Sequence, residues 1–387
     1  MIKNPKVFVF ILISLITIGL SINSYVLPTY VNKGEFHSHY NNYLIFKGSF
    51  HHLIEQEDLY SSYPAEHFDI YKYTPTFALL MAPLAYLPDV VGLVLWNLIN
   101  TLVFLFAIWN LPFKNDKLKI WLLGFVLVAL ASSIQNVQSN ALLTGLLILG
   151  FGFAEKKKIL IAALFITFTF FIKIFGIAGL AIFIFYRYKW KTGLYVLISF
   201  IVFAILPLVV VPFHQLLELY KSWLSMLQAD LSVSYGYSVA GIVSSWFGFV
   251  EVKNWVLLFG IIGFFVPFLK LQWYNSPLFR LWVLAYILIW IVIFNHKAES
   301  PTFIIAVTGV GIWYFSQKRN NVNLILLLLT LLFTVLSPTD LFPITIRIEF
   351  IRAYSIMALP CFLVWLKMLI DFLRLDFSQV QSNMENS

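Results

Sequence analysis

Apolar runs of about 20 residues follow one another from residue 7 to residue 372, with short polar turns between most of them. A run of that length crosses a hydrocarbon layer of about 30 Å as one α-helix. A helix satisfies its own backbone polar groups, which lipid cannot do, so the pattern confines the chain to a helical membrane bundle. Charge content agrees: 11% of residues are charged and 60% are hydrophobic, where a soluble domain carries about 25% charge. We therefore expect an all-α polytopic bundle of about twelve spans. They fall near 7–27, 90–112, 118–134, 138–154, 158–187, 192–213, 253–271, 278–295, 300–316, 321–337 and 351–372. The segment 158–187 counts as two, a hairpin, because a reversal places EKKK and YRYKWK on one side. Residues 75–88 hold three prolines and read as a broken, re-entrant piece, a geometry tolerated where protein or a wet cavity surrounds it.

Cytoplasmic loops collect Lys and Arg. With both termini inside, 17 of the 26 basic residues fall on the inner side and all seven histidines fall outside. This orientation makes the run at 7–27 a retained helix, with a cleaved signal peptide as the rival reading. One membrane domain covers 1–375, and the polar tail 376–387 is expected to be disordered in the cytoplasm. The expected location is the plasma membrane, with the working face outside.

The longest early polar interval is the first outer loop, 28–75. It holds five of the seven histidines together with Glu35, Glu55, Glu57, Asp58, Glu66 and Asp69. Outer polar regions also include the Gln135–Asn140 turn, the 214–252 loop, His296–Glu299 and Ser337–Arg352. Lys72, Lys173, Lys297, Arg347 and Arg352 thus lie on the outer side beside carboxylates and apolar helices. A lipid-linked phosphate fits that combination, its tail between helices and its phosphate on Lys or Arg. A carboxylate would then take the proton of an attacking hydroxyl.

Each residue also has a plainer reading. Lys173 is costly in hydrocarbon unless it is paired or reaches water, and it either binds an anionic group or snorkels. Lys72 sits between two tyrosines, as interface residues do. Gln138 and Asn140 either bind sugar hydroxyls or cap a helix. His296 and Lys297 lie at a helix end, open to phosphate or sugar. Arg347 and Arg352 flank Glu349 and would pair with it. The histidine pairs follow no HExxH or CxxC spacing, so no metal is expected, and no cofactor is implied. The formal charge of +8 is distributed in membrane context, which argues against nucleic acid. Cys361 is the single cysteine, so no intrachain disulfide forms. Nothing in the sequence speaks to oligomeric state.

Several stretches occur in a telling order: EDLY, then YKYTPTFALLMAPLAYLP followed by Trp96, then the QSN of Gln138–Asn140, then Lys173 in a later apolar segment. Together they resemble glycosyltransferase family 87, integral-membrane proteins of the GT-C fold related to the polyprenyl-phosphate-mannose-dependent mannosyltransferases. The resemblance is strongest over 35–180. It implies a twelve-or-so-helix bundle with a large extracytoplasmic first loop and a polyprenyl-phosphate-sugar donor. It also implies inversion at the anomeric carbon, no required metal, and a lipid or glycan acceptor. The family carries an acidic residue near the start of the first loop as its base. The usual spacing lands near His39–Asn41, where this chain has no acid. Glu35 lies a few residues upstream, and on a helix Glu35 and His39 would share a face. Glu35, Asp58 and His39 are the candidates for the base, with Asp58 equally able to cap the turn before Tyr60.

Two other classes share these features. A secondary transporter would show paired broken helices and related halves, and no internal repeat is evident. A lipid carrier or flippase-like protein would share the lipid groove and need no base.

Overall fold

The computed structural model describes residues 4–187, 189–229, 235–249 and 251–377. Helices dominate, and one lies at each segment that the apolar runs mark as a span. Five are long and apolar enough to cross a membrane: α1 (Pro5–Val26), α5 (Asp89–Trp109), α6 (Asp116–Gln135), the stretch Lys189–Val209 and the stretch Ile356–Arg374. Seven shorter apolar helical stretches accompany them. Local chemistry sets the starts. Asn4 accepts from the Lys6 N–H before Pro5. Asn115 accepts from Leu118 ahead of α6. Ser276 does the same for Phe279 ahead of Pro277. All three are side-chain caps, and after Asn4 and Ser276 the first helical residue is a proline, which has no N–H to satisfy.

Between α1 and α5 lies the first loop. It opens with a two-stranded hairpin, β1 (Tyr30–Asn32) and β2 (Glu35–His37), so the chain is not wholly α-helical. Lys33 and Gly34 both have positive φ, +50° and +83°, the backbone of a two-residue hairpin turn. The loop then forms α2 (Asn41–Glu55), α3 (Pro75–Leu80) and α4 (Ala82–Ala85). The last two are the broken piece, interrupted at Met81, with Pro83 in the first turn of α4. Because Glu35 lies in a strand, it shares no helical face with His39; its carboxylate lies 3.7 Å from His37.

After α6 come α7 (Asn140–Glu155) and α8 (Ile159–Ile172), then the tighter helical segment Ile174–Phe185. A Cβ on Gly176 would touch Thr169 at 2.6 Å, and one on Gly179 would touch Ile166 at 3.1 Å. The arms on either side of Lys173 therefore run antiparallel, as a hairpin. Next follows α9 (Lys189–Ile205). The 214–252 loop contains two helices, α10 (Phe213–Ala229) and α11 (Val239–Phe247), and residues 230–234 and 250 lie outside the described set. In α10, Leu216, Leu219, Trp223 and Met226 are buried while Phe213, Leu217 and Leu224 are exposed, the pattern of a helix lying along a surface.

The remaining helices are α12 (Lys253–Phe265), α13 (Pro277–Ile293), α14 (Phe303–Phe315), α15 (Asn321–Leu329), α16 (Ile344–Ile346) and α17 (Leu359–Arg374). Helices α13 and α14 are buried on every side, as helices apolar all round must be, and form the centre of the bundle. Phe377 is buried, 5.0 Å from Phe279 and 5.3 Å from Trp282 between ring centroids. The expected tail therefore begins inside the core at this residue; 378–387 lie outside the described set, as does Lys3.

Small residues let helices meet closely in a membrane bundle. A Cβ on Gly145 would lie 3.1 Å from the Phe104 backbone, which cannot yield as a side chain does. Gly145→Ala is expected to destabilise the protein by about 1–3 kcal/mol. A Cβ on Gly152 meets nothing within 4 Å, so Gly152→Ala should be neutral or slightly stabilising. Thermal unfolding of both variants in detergent checks the pair.

Candidate active site

The centre of the site is the tip of the α8 hairpin. Lys173 has an extended backbone (φ −145°, ψ 129°) between two helical arms, and this reversal turns its side chain toward the start of α7. Its Nζ donates to Gln138 Oε1 at 3.1 Å and to Asn140 Oδ1 at 2.8 Å. It also lies 5.7 Å from the Tyr73 ring centroid. Burial pushes the ammonium down from its ordinary 10.5 to about 8; Glu299 nearby favours its charge and Lys72 opposes it. So Gln138, Asn140 and Lys173, 33 to 35 residues apart in sequence, form one cluster.

The α6–α7 turn presents its side chains to that cluster through an unusual backbone. Val137 is fully buried with φ +51°. A β-branched residue in the left-handed region is an outlier costing about 1–3 kcal/mol. The turn is held by the Gln138 N–H, which donates to Ser133 O at 3.0 Å. Asn140 also donates to Pro301 O at 3.0 Å, which ties the site to the His296–Glu299 loop. Glu299 caps the short turn Ser300–Thr302.

Tyr73 is partly buried, its hydroxyl accepting from Ser139 Oγ at 3.3 Å; desolvation raises its pKa, so it stays neutral. The Tyr-x-Tyr-x-Pro segment is pinned on several sides. Thr74 donates to Phe171 O at 2.7 Å, Thr76 to Phe203 O at 2.6 Å and Trp223 to Lys72 O at 3.4 Å. Lys72 is exposed and pairs with Asp69 at 3.1 Å. Such a surface pair is worth about 0–1 kcal/mol and is readily exchanged.

The three base candidates stand apart from this cluster. None makes a hydrogen bond or ion pair with Lys173, Gln138 or Asn140 among the described residues. Asp58 caps its turn, accepting from the Tyr60 N–H at 3.2 Å and the Ser61 hydroxyl at 3.4 Å. Glu35 keeps an exposed carboxylate beside His37, and His39 is exposed. His296 Nε2 lies 3.1 Å from Lys253 Nζ. Lys297 follows it in the same loop, half-buried. Among the described residues the pairing expected around Glu349 does not form: Arg347 pairs with Asp340 at 3.0 Å and donates to Pro338 O. Arg352 is exposed, near enough to the Tyr237 hydroxyl to act on its charge. Among the described residues no group of three or more His, Cys, Asp or Glu is arranged to hold a metal.

The sequence model of glycosyltransferase family 87 matches residues 71–338, 268 of 387 residues. The chain belongs to glycosyltransferase family 87. It is a membrane glycosyltransferase on that ground, and the cluster around Lys173 lies inside the matched region. A search of curated proteins finds no match.

Sequence reasoning missed Tyr73, Ser139, Glu299 and Pro301 as neighbours of this cluster, and Lys253 as partner of His296. Glu299 carried a signal, an acid in the short HKAES turn between apolar runs. Pro301 acts through its carbonyl, which no side-chain pattern announces.

Proposed function

We propose that this protein is an inverting hexosyltransferase that takes a hexose, mannose foremost, from a polyprenyl-phosphate-sugar donor and passes it to an extracytoplasmic lipid or glycan acceptor. The reading sets about twelve membrane crossings over residues 1–375, with the seven shorter apolar helices crossing as well. Both termini lie in the cytoplasm, and the site faces outward at the plasma membrane. Lys173 is the observation that carries it. Its ammonium is partly buried and hydrogen-bonded to two neutral amide oxygens, with no ion-pair partner among the described residues, and a partly desolvated cation without a paired anion is costly. A phosphate diester supplies the anion. Lys72, free to leave Asp69, would meet the same phosphate; Gln138, which also orients Lys173, would hold sugar hydroxyls, while Asn140, buried with its amide oxygen on Lys173 and its nitrogen on Pro301 O, positions the lysine rather than touching sugar.

Transfer then needs one base on the face of the sugar opposite the phosphate. It takes the acceptor's hydroxyl proton as oxygen attacks the anomeric carbon and the C–O bond to phosphate breaks. The phosphate leaves as an anion stabilised by Lys173, so no metal is required. Glu35 is the base in this reading. Asp58 spends both oxygens on its turn, and His39 ranks after it.

The test is sugar transfer by lipid-reconstituted protein carrying Glu35→Gln, Asp58→Asn or His39→Gln. A loss of about 10²–10⁴-fold in Glu35→Gln alone, in folded protein, is expected. Full activity in Glu35→Gln with loss in another variant reassigns the base. Full activity in all three removes a first-loop base from the mechanism.

A further inference from the structure

The α6–α7 turn carries both amides that meet Lys173, and α7 lacks a side-chain cap of its own. Ser139, at the capping position, caps nothing and gives its hydroxyl to Tyr73 instead. The first N–H groups of a helix have no partner within it. Here one partner comes from α5. Asn100 Oδ1 accepts from the N–H of Leu142, the third residue of α7, at 3.1 Å. Asn97, one turn earlier on the same face, donates through Nδ2 to Ile134 O at 3.3 Å, near the end of α6. Two side chains of one helix therefore grip the turn from both sides. Both are fully buried. Asn100 is anchored by donating to Trp96 O at 3.0 Å, and Asn97 by donating to Ser21 Oγ of α1 at 2.9 Å. A turn further along, the Phe104 backbone lies against Gly145, which keeps α5 close on α7.

Between the two grips sit Gln138, Asn140 and Val137 with its positive φ. A strained residue keeps its conformation only where its surroundings over-determine it. Asn97 is also costly in itself, because its Oδ1 is buried with no hydrogen-bond partner. Stability alone would favour leucine at that position. We propose that Asn97 and Asn100 are positioning residues for Lys173: they hold the α6–α7 turn in the shape that aims the Gln138 and Asn140 oxygens at the lysine, and they touch neither the lysine nor a substrate. The consequence for sugar transfer rests on the donor reading; the positioning does not, and it is measured on the lysine itself.

The two amide oxygens accept from the ammonium and so favour its charged form. Loosening the turn withdraws them, and Lys173 then gives up its proton at lower pH. The other groups that face it stay in place: Glu299 from the loop before α14, Lys72 from the first loop and neutral Tyr73. Full-length protein in nanodiscs is treated with a trace of deuterated acetic anhydride from about pH 6 to 11, a range that spans lysine titration. Mass spectrometry reads the acetylated fraction of Lys173 against exposed Lys72 in the same sample. The wild-type midpoint is near 8. Asn97→Leu and Asn100→Leu are each expected to lower it by about 0.5–1, part of what one hydrogen bond to a charged group is worth. At about pH 8 that leaves roughly a tenth to a quarter of the lysine charged instead of about half, so affinity for polyprenyl-phosphate-mannose should fall about two- to fivefold.

Thr17→Val removes the 2.9 Å hydrogen bond between α1 and Thr101 of α5 without touching the turn, and should keep the wild-type midpoint. Asn97→Leu should unfold at the wild-type temperature or above, since Ile134 O keeps the Val137 N–H at 2.9 Å. It therefore decides the matter if Asn100→Leu, which orphans the Leu142 N–H, fails to fold. A wild-type midpoint in folded Asn97→Leu overturns the proposal. An equal fall in Thr17→Val overturns it too, because the effect would then be a general loosening of α5. A lowered midpoint in the Asn97 and Asn100 variants with donor affinity unchanged supports the positioning and counts against Lys173 as the donor's anion site.

Discussion

Lys173→Met is expected to lower sugar transfer by about 10²–10³-fold, the cost of losing one preorganised group that stabilises a developing anion. Folding should survive. Replacing a partly buried charge that has no ion-pair partner with an apolar side chain of similar length costs little or stabilises, so loss of activity at unchanged stability separates a functional lysine from a structural one. The pH dependence gives a second signature. The free ammonium titrates near 8, so it is charged below that pH and neutral above it. Donor affinity should hold from pH 6 to about 7.5 and fall through pH 8–9. Stability moves the other way. Unfolding returns the lysine to its ordinary 10.5, so between about 8 and 10.5 the unfolded chain binds more protons and stability rises with pH. Lys173→Arg keeps its charge throughout and should lose the fall in affinity, though with weaker transfer because the guanidinium is larger and differently shaped. Donor binding by intrinsic fluorescence across this range checks the prediction. A flat wild-type profile would show that the Lys173 charge does not hold the donor.

The largest stability effect is expected at the other end of the hairpin. Arg280 on α13 donates through Nε and Nη2 to Glu155 at 2.6 and 2.8 Å, and through Nη1 to Tyr274 O at 2.7 Å. Tyr186 donates to the same carboxylate, and its ring lies 5.7 Å from the guanidinium. This joins α7, the return arm of the hairpin and the central helix at one point. Glu155→Ala strands Arg280 and should cost about 3 kcal/mol, the low end for breaking a buried pair because both side chains keep some exposure. The double variant Glu155→Met/Arg280→Met should be less destabilised than Glu155→Ala, since the penalty comes from the uncompensated charge. Thermal unfolding in detergent decides; a double variant as unstable as the single one would mean that the pair itself, not the orphaned charge, carries the stability. If the hairpin tilts when this clamp is lost, Lys173 moves with it, so donor affinity should weaken in Glu155→Ala.

What the sequence made legible follows from what each signal depends on. Helix positions were readable because hydrocarbon compatibility is a local property of about 20 residues. The hairpin over 158–187 was readable because basic clusters at both ends of an overlong apolar run needed one side. The Lys173–Gln138–Asn140 group was foreseen as separate residues, and their meeting was not. It depends on the left-handed backbone of buried Val137, which no residue-type rule predicts for a β-branched residue. The β1–β2 hairpin hid behind its short length, three residues a strand, although Lys33-Gly34 is a turn-compatible pair. Arg347 was assigned to Glu349 by proximity in sequence and pairs instead with Asp340, nine-tenths or more exposed at 96%. The two helices in the 214–252 interval were missed because an amphipathic surface helix carries neither a long apolar run nor a charge cluster.

The most direct measurement is the donor requirement of purified, lipid-reconstituted protein, using radiolabelled mannose or glucose supplied either as polyprenyl-phosphate-sugar or as nucleotide-sugar, with a membrane-lipid extract as acceptor. The account predicts label in the lipid fraction from the polyprenyl-phosphate donor, none from the nucleotide donor, and loss of that label in Lys173→Met. Transfer from the nucleotide-sugar, or transfer that Lys173→Met leaves untouched, would contradict it.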